Sequence, residues 1–266
     1  MANEIAISTA GGVQLIRFQR PEKKNALIAS MYATINEALA EGEASDDVAV
    51  HMFVGSNGVF TAGNDISDFM ARATAGATAG AGGSALGGPV LQFIRSLPRI
   101  KKPMIAAVDG IAVGVGTTML FHCDLVYASP TARFHTPFLD LGLVPEAGSS
   151  LIAPRIMGQQ RAFQLLVLGE PFTAEQAMAA GFVNAIVAAA DLEATAMKAA
   201  TRLAAKPPGA LALSRRLMRG DPSDIAARVD LEAGHFGERL SSPEAREAFA
   251  AFLEKRPADF AKLKRV

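Results

Sequence analysis

The stretch from Pro103 to Asp124 most narrows what this chain can fold into. It reads Pro-Met-Ile-Ala-Ala-Val-Asp-Gly-Ile-Ala-Val-Gly-Val-Gly-Thr-Thr-Met-Leu-Phe-His-Cys-Asp. Met104 to Val108 is an apolar run that ends at Asp109-Gly110, a turn dipeptide, so it predicts a short buried strand. From Gly116 onward the residues suit a helix, with Thr117 and Thr118 in its first turn. A helix that opens after a glycine turn presents free N–H groups and the positive end of its dipole. Such a place suits a phosphate or a developing oxyanion. A tight strand–helix packing joint explains the same glycines. The G-x-x-x-G-x-G spacing of Gly110, Gly114 and Gly116 is neither the dinucleotide fingerprint nor a P-loop.

A second glycine loop, Phe60-Thr61-Ala62-Gly63-Asn64-Asp65-Ile66, also leads toward a helix. Two such loops could supply the two converging N–H donors that an oxyanion hole needs. A third stretch, Phe134 to Ser150, carries Glu146 after a proline, at the predicted start of a helix over 147–157. Glu146 lies among apolar and small residues. Apolar walls raise a carboxyl pKa and a helix start lowers it, so the two effects oppose. A first-turn glutamate that merely favours the helix dipole is the alternative.

The remaining chain alternates strands and helices. Runs at 4–8 and 13–18 flank Gly11-Gly12 as a hairpin. A helix is predicted over 27–43, a strand over 48–54, helices over 90–97, 159–168 and 173–180, and strands over 125–128 and 181–187. Helices alone follow, at 191–205, 207–219, 224–239 and 243–254, so the pattern shifts from mixed to all-helical near 190–205. The Ala/Gly/Thr/Ser-rich segment 72–88 reads as a lid or as an unstructured insertion. Arg99, Lys101 and Lys102 form a basic cluster that is either solvated or meets phosphate.

Lys+Arg and Asp+Glu both number 26, which gives no sign of a nucleic-acid or membrane-surface partner. One cysteine, Cys123, excludes an intrachain disulfide and fits a reducing, cytoplasmic setting. Four scattered histidines offer no metal spacing. No signal peptide or membrane span is expected.

Taken together, these motifs resemble the crotonase, or enoyl-CoA hydratase/isomerase, superfamily. The match runs in order through Arg20-Pro21 with Asn25-Ala26, Phe60-x-Ala62-Gly63-x-Asp65-Ile66, Asp109-Gly110 to Gly116 with Cys123-Asp124-Leu125, Gly142-x-x-Pro145 and Ala180-Gly181-Phe182-Val183. The resemblance implies an α/β fold, a ββα spiral of two roughly perpendicular sheets. It places the spiral core in 1–198 and a helical oligomerisation region, forming homotrimers or hexamers, in 199–266. It implies a coenzyme A thioester as substrate and no permanently bound cofactor. Substrate contacts carry over to Lys24, Asn25, Ala26, Ala62, Gly63, Asp65, Ile66, Gly114, Thr118 and Phe138. The oxyanion hole carries over to the N–H groups of Asn64 and Val115, although many members have glycine at the second position.

Two-glutamate hydratases of the family carry carboxylates where this chain has Thr118 and Phe138. The Phe-His-Thr-Pro-Phe…Leu-Gly-x-x-Pro-Glu-x-x-Ser-Ser pattern instead resembles the peroxisomal-type Δ3,Δ2-enoyl-CoA isomerase branch. There a lone glutamate, matching Glu146, moves the proton. The alternatives are a hydratase or other crotonase-type enzyme that recruits Asp140, His135 or Asp68, and a non-catalytic acyl-CoA-binding module.

Overall fold

The computed structural model describes residues 4–68 and 88–263. The segment 72–88 lies outside these residues except for Gly88. Strands β1 (Ile5–Ala10) and β2 (Val13–Phe18) form the expected hairpin across Gly11-Gly12. Next to β2, in parallel, lies β3 (Val50–Val54), reached through the Ala29–Ala44 helix. Strands β4 (Met104–Val108), β6 (Leu125–Ala128) and β9 (Ala185–Ile186) extend the sheet, also in parallel, in the order β1-β2-β3-β4-β6-β9. Among the described residues a second sheet joins β5 (Ile111–Val113), β7 (Arg133–His135) and β8 (Phe172–Thr173).

The central strands β3 and β4 are buried along their whole length, and every residue in them but His51 is apolar. Alternation sorts their side chains. Val50, Met52 and Val54 face the Ala189–Ala204 helix, which meets them with Leu192, Ala196 and Ala200 at four-residue spacing. Phe53 faces the opposite way, into the main core with Phe18 and Phe60. The Ser223–Leu240 helix adds Val229, Phe236 and Leu240 to that core, and the Pro243–Glu254 helix adds Phe249. In this way the helical tail reaches the interior beside the second sheet.

Three expectations need correction. After Asp109-Gly110 the chain makes another strand, β5, before any helix. Its partner is β7, twenty residues on, which local pattern does not reveal. The helix after Glu146 begins at Ser149, not at Ala147, because Ala147 and Gly148 both take left-handed backbone angles, φ 58° and 73°. The strand foreseen over 181–187 shrinks to Ala185–Ile186, since Phe182 and Val183 turn into the core. In the basic cluster, Lys102 Nζ donates to Gly42 O and Ser45 O, both at 2.6 Å, and so closes the C-terminus of the Ala29–Ala44 helix.

Asn25 holds the entry to the site together. It is fully buried. Its Oδ1 accepts from Arg20 N–H at 2.9 Å and Ser56 Oγ at 3.1 Å, while Nδ2 donates to Val59 O at 2.7 Å and Ser56 O at 3.2 Å. Asn25→Ala would leave the half-buried Arg20 amide without its acceptor and would take one of two donors from each of the Ser56 and Val59 carbonyls, which keep only each other's amides. We expect it to lower unfolding stability by about 3 kcal/mol, read from the urea midpoint at unchanged slope.

Candidate active site

The two glycine loops meet because Thr61 behaves as a strand residue beside β5. Thr61 N–H donates to Ile111 O at 3.0 Å, and Val113 N–H donates back to Thr61 O at 3.0 Å. The Thr61 hydroxyl donates to Asn25 O at 2.7 Å and accepts from Gly63 N–H at 3.0 Å. The approach is close enough to exclude a side chain: a Cβ on Gly63 would lie 2.5 Å from Val113 O, in a backbone at φ 81°. Gly116 is likewise pressed against the Thr61 side chain and Gly110 against Gly58 O, so the packing-joint reading holds for these two, whereas Gly114 has open space where a Cβ would stand.

The same stitching decides where free amides point. Gly63 O accepts from Leu27 N–H at 2.7 Å, and Asp65 N–H donates to Leu27 O at 2.9 Å. In such a parallel bridge the intervening residue turns its own N–H the other way. Asn64 is that residue. Val115 opens the Val115–Thr118 helix, whose first N–H groups have no intrahelical acceptor. Asn64 and Val115 both line a cavity of about 100 Å³.

Glu146 lines the same cavity, and among the described lining residues it is the sole ionisable one. Apolar groups surround it, chiefly Val90, Ile94, Phe138, Leu143, Phe236 and Phe249. The carboxyl is 4% exposed, and Thr118 Oγ1 donates to its Oε1. Burial wins the contest left open by the sequence. It pushes the Glu146 carboxyl up to about 8, against the lowering by the Thr118 hydroxyl and with a smaller push from Glu232. No helix-start effect opposes this, because the helix begins beyond Glu146.

The other expected residues divide into two groups. Ala62, Gly63, Ile66, Gly114 and Phe138 line the cavity. Thr118 reaches it through Glu146. Lys24, Asn25, Ala26 and Asp65 do not line it. Lys24 is exposed at the loop tip, at φ 52°. Ala26 is buried under that loop, and Asn25 is spent on it. Asp65 pairs with Arg20 Nη1 at 2.8 Å, and its Oδ1 caps the Ser67 and Asp68 amides. Asp140 and His135 are also absent from the lining, as is Asp68, whose carboxylate accepts from Ala29 N–H at 3.3 Å.

Three side chains that the sequence reading passed over support the site. Tyr32 is fully buried and donates its hydroxyl to Asn64 Oδ1 at 2.6 Å. Burial, then the charges of Glu146 and Asp68, keep that phenol protonated. His122 Nε2 bonds Ala147 O at 2.7 Å, and burial pulls the imidazole down to about 4, so it is neutral and donates. Glu232 bonds the amides of Gly148 and Ser150. A polar signal did exist: Glu232 falls three residues after Val229 and four before Phe236, on the apolar stripe of its helix.

The sequence pattern of the enoyl-CoA hydratase/isomerase family matches residues 8–263. The chain belongs to that family. It is 33% identical over 254 residues to enoyl-CoA delta isomerase 2 of Rattus norvegicus, covering 95% of this chain and 64% of that protein, so the chain spans less than two thirds of that relative. It is also 33% identical over 256 residues to 1,2-epoxyphenylacetyl-CoA isomerase of Escherichia coli, covering 94% of this chain and 95% of that one. A crystal structure of an enoyl-CoA hydratase/isomerase from Pseudoalteromonas atlantica superposes with a TM-score of 0.88 at 36% identity, over 97% of this chain and 100% of that one. The fold is thus the crotonase fold. Among the described residues no helix is long and apolar enough to cross a membrane.

The raised carboxyl has a measurable consequence for stability. Its pKa rises from an ordinary 4.5 to about 8 on folding, so the folded state holds a proton that the unfolded state has released. Its favourable contribution is complete below pH 4.5 and fades as pH rises toward 8. Glu146→Gln removes this dependence. We expect the variant to gain stability relative to the parent on going from pH 5 to pH 8, by up to about 4 kcal/mol, in paired urea titrations.

Proposed function

We propose that this protein is a Δ3,Δ2-enoyl-CoA isomerase. The observation that carries the reading is the cavity itself, which combines one carboxyl with the Asn64 and Val115 residues and no second carboxylate among the described lining residues. A 3-enoyl thioester has an acidified proton on C2. In the proposed reaction its carbonyl oxygen accepts from the Asn64 and Val115 amides, which stabilise the negative charge as it develops. The Glu146 carboxylate takes the C2 proton. The C2–H electron pair forms the C1–C2 double bond of a dienolate, and the C3–C4 double bond remains. The protonated Glu146 then delivers the proton to C4, the C2–C3 double bond forms and the carbonyl returns. No water enters, so one base is enough.

The surroundings suit this shuttle. A carboxyl near 8 is a stronger base than an ordinary one and still a competent acid for the return step. The Thr118 hydroxyl holds Oε1, which leaves the other oxygen for the substrate. Tyr32 fixes the side chain of Asn64, so the Asn64 amide stays aimed. Val115 and Phe138, where relatives of other branches carry a glycine and a glutamate, narrow the cavity around the acyl chain. A hydratase reading would need a second group to hold and deprotonate water, and Asp140, His135 and Asp68 lie off the cavity.

We also propose the 199–266 region as the assembly surface for trimers or hexamers. On the Pro208–Arg219 helix, Leu213 is 47% exposed, Leu217 74% and Met218 89%. Exposed apolar side chains grouped on one helix favour burial against another copy. Sedimentation should give a multiple of the chain mass, and Leu217→Asp with Met218→Asp should reduce it.

Purified protein with 3-hexenoyl-CoA should form the conjugated thioester, followed by its ultraviolet absorbance. The rate constant kcat/KM should rise as pH increases toward 8, because the base must first lose its proton. Glu146→Gln should cut kcat at least about a hundredfold. Full activity in that variant, or water addition as the main reaction, would falsify the reading.

A further inference from the structure

Glu146 stands on a turn that its own residues disfavour. Ala147 has a Cβ and yet takes φ 58°, and Gly148 follows at φ 73°. A left-handed alanine persists where surrounding groups over-determine it. Three elements do so here. Thr118 bonds the Glu146 carboxyl from the Val115–Thr118 helix. His122 holds Ala147 O at 2.7 Å. From the Ser223–Leu240 helix, far along the chain, Glu232 Oε2 accepts from Gly148 N–H at 2.6 Å and Oε1 from Ser150 N–H at 2.9 Å.

Glu232 is 6% exposed, and a buried carboxylate demands a reason. Part of the reason is a helix start. The Ser149–Met157 helix has no capping side chain of its own, and Glu232 supplies the acceptors from another element. A neutral acceptor could do that. What Glu232 adds is a carboxylate held on the Gly148 amide, two residues along the chain from Glu146, whose charge raises the proton affinity of Glu146 among apolar walls.

We infer that Glu232 is a positioning residue for Glu146, acting through the Gly148 and Ser150 amides and through its own negative charge, without touching substrate. The groups that bear on the pair are few. Glu146 accepts from the Thr118 hydroxyl, the Glu232 charge raises its proton affinity, and Glu146 and Asp68 both act on the Tyr32 phenol. Burial raises the Glu232 carboxyl above its ordinary value, while the Ser150 hydroxyl, the Ser150 and Gly148 amides and Arg228 on its own helix favour its charged form; the Ser150 hydroxyl also accepts from Arg228 Nη1 at 3.1 Å. His122 is neutral, because burial and the Arg219 and Arg215 charges disfavour its protonation. Glu232 therefore raises the proton affinity of the proposed base and fixes its direction, so that one carboxyl serves both halves of a proton shuttle.

This inference rests on the isomerase reading only for its activity readout. Glu232→Gln keeps the size, removes the charge and replaces one acceptor oxygen with an NH2 that cannot accept. We expect kcat to fall about tenfold, KM for the CoA thioester to stay within about twofold, and the acid limb of kcat/KM to move to lower pH. Carbon-13 NMR of glutamate-labelled protein should show the Glu146 carboxyl titrating at lower pH in that variant. Glu232→Asp keeps the charge but falls one methylene short, so kcat should drop while the acid limb stays. An unmoved Glu146 titration in Glu232→Gln overturns the inference, even if stability has fallen, since a plain structural cap would do only the latter. If Glu232→Gln does not fold, Glu232→Asp decides, and an unchanged kcat overturns the inference. A wild-type protein without isomerase activity would defeat the proposed function alone, and the NMR titration would still decide the role of Glu232.

Discussion

The pairing of Thr61 with β5 is the constraint on which the site depends. Two mutual backbone hydrogen bonds, each 3.0 Å, draw the 60–66 loop against the start of the Val115–Thr118 helix. Glycine is needed at 63 because the Val113 carbonyl lies where its Cβ would stand, and at 116 because the Thr61 methyl does. Once the loops are stitched in this register, Asn64 cannot spend its amide on its neighbours, and Val115 has no helical acceptor for its own. Two polar groups that folding would normally satisfy are left without a backbone partner, on residues that line one cavity. Backbone groups are well suited to this, since the sheets hold them rigid and no rotamer can swing them away.

The carboxyl opposite is arranged by the reverse logic. Its apolar enclosure disfavours charge. The enclosure comes from both ends of the sequence: Val90 and Ile94 before the central stretch, Phe236 and Phe249 from the helical tail. The turn beneath it is held from outside by His122 and Glu232. Direction, proton affinity and dryness of the proposed base are therefore supplied by separate elements.

Much of this was legible before any coordinates. The hairpin, the strands at 50–54, 104–108 and 125–128 and the main helices show in hydrophobic period and in turn residues, which are local properties. The family motifs pointed to Asn64, Val115 and Glu146, and all three line one cavity. The three-residue strand β5 was not legible, because its existence depends on β7. The start of the 149–157 helix was misplaced because Ala147 has no intrinsic reason to turn left-handed; its partners do that. Asn25 and Asp65 carried motif signals, and the structure spends their side chains on loop shape and helix capping. A motif residue kept for geometry looks the same in sequence as one kept for contact.

The amino-acid order by itself determined the alternation of strands and helices, the positions of the glycine loops, and the absence of a carboxylate at Thr118 and Phe138. These follow from side-chain volume, backbone freedom and chemical type, each fixed residue by residue. Only the tertiary structure decided that the loops converge, that burial rather than a helix dipole governs Glu146, and that Tyr32, His122 and Glu232 stand behind the site. Those outcomes depend on distance and dielectric between groups up to two hundred positions apart in the chain, and neither quantity exists until the chain has packed.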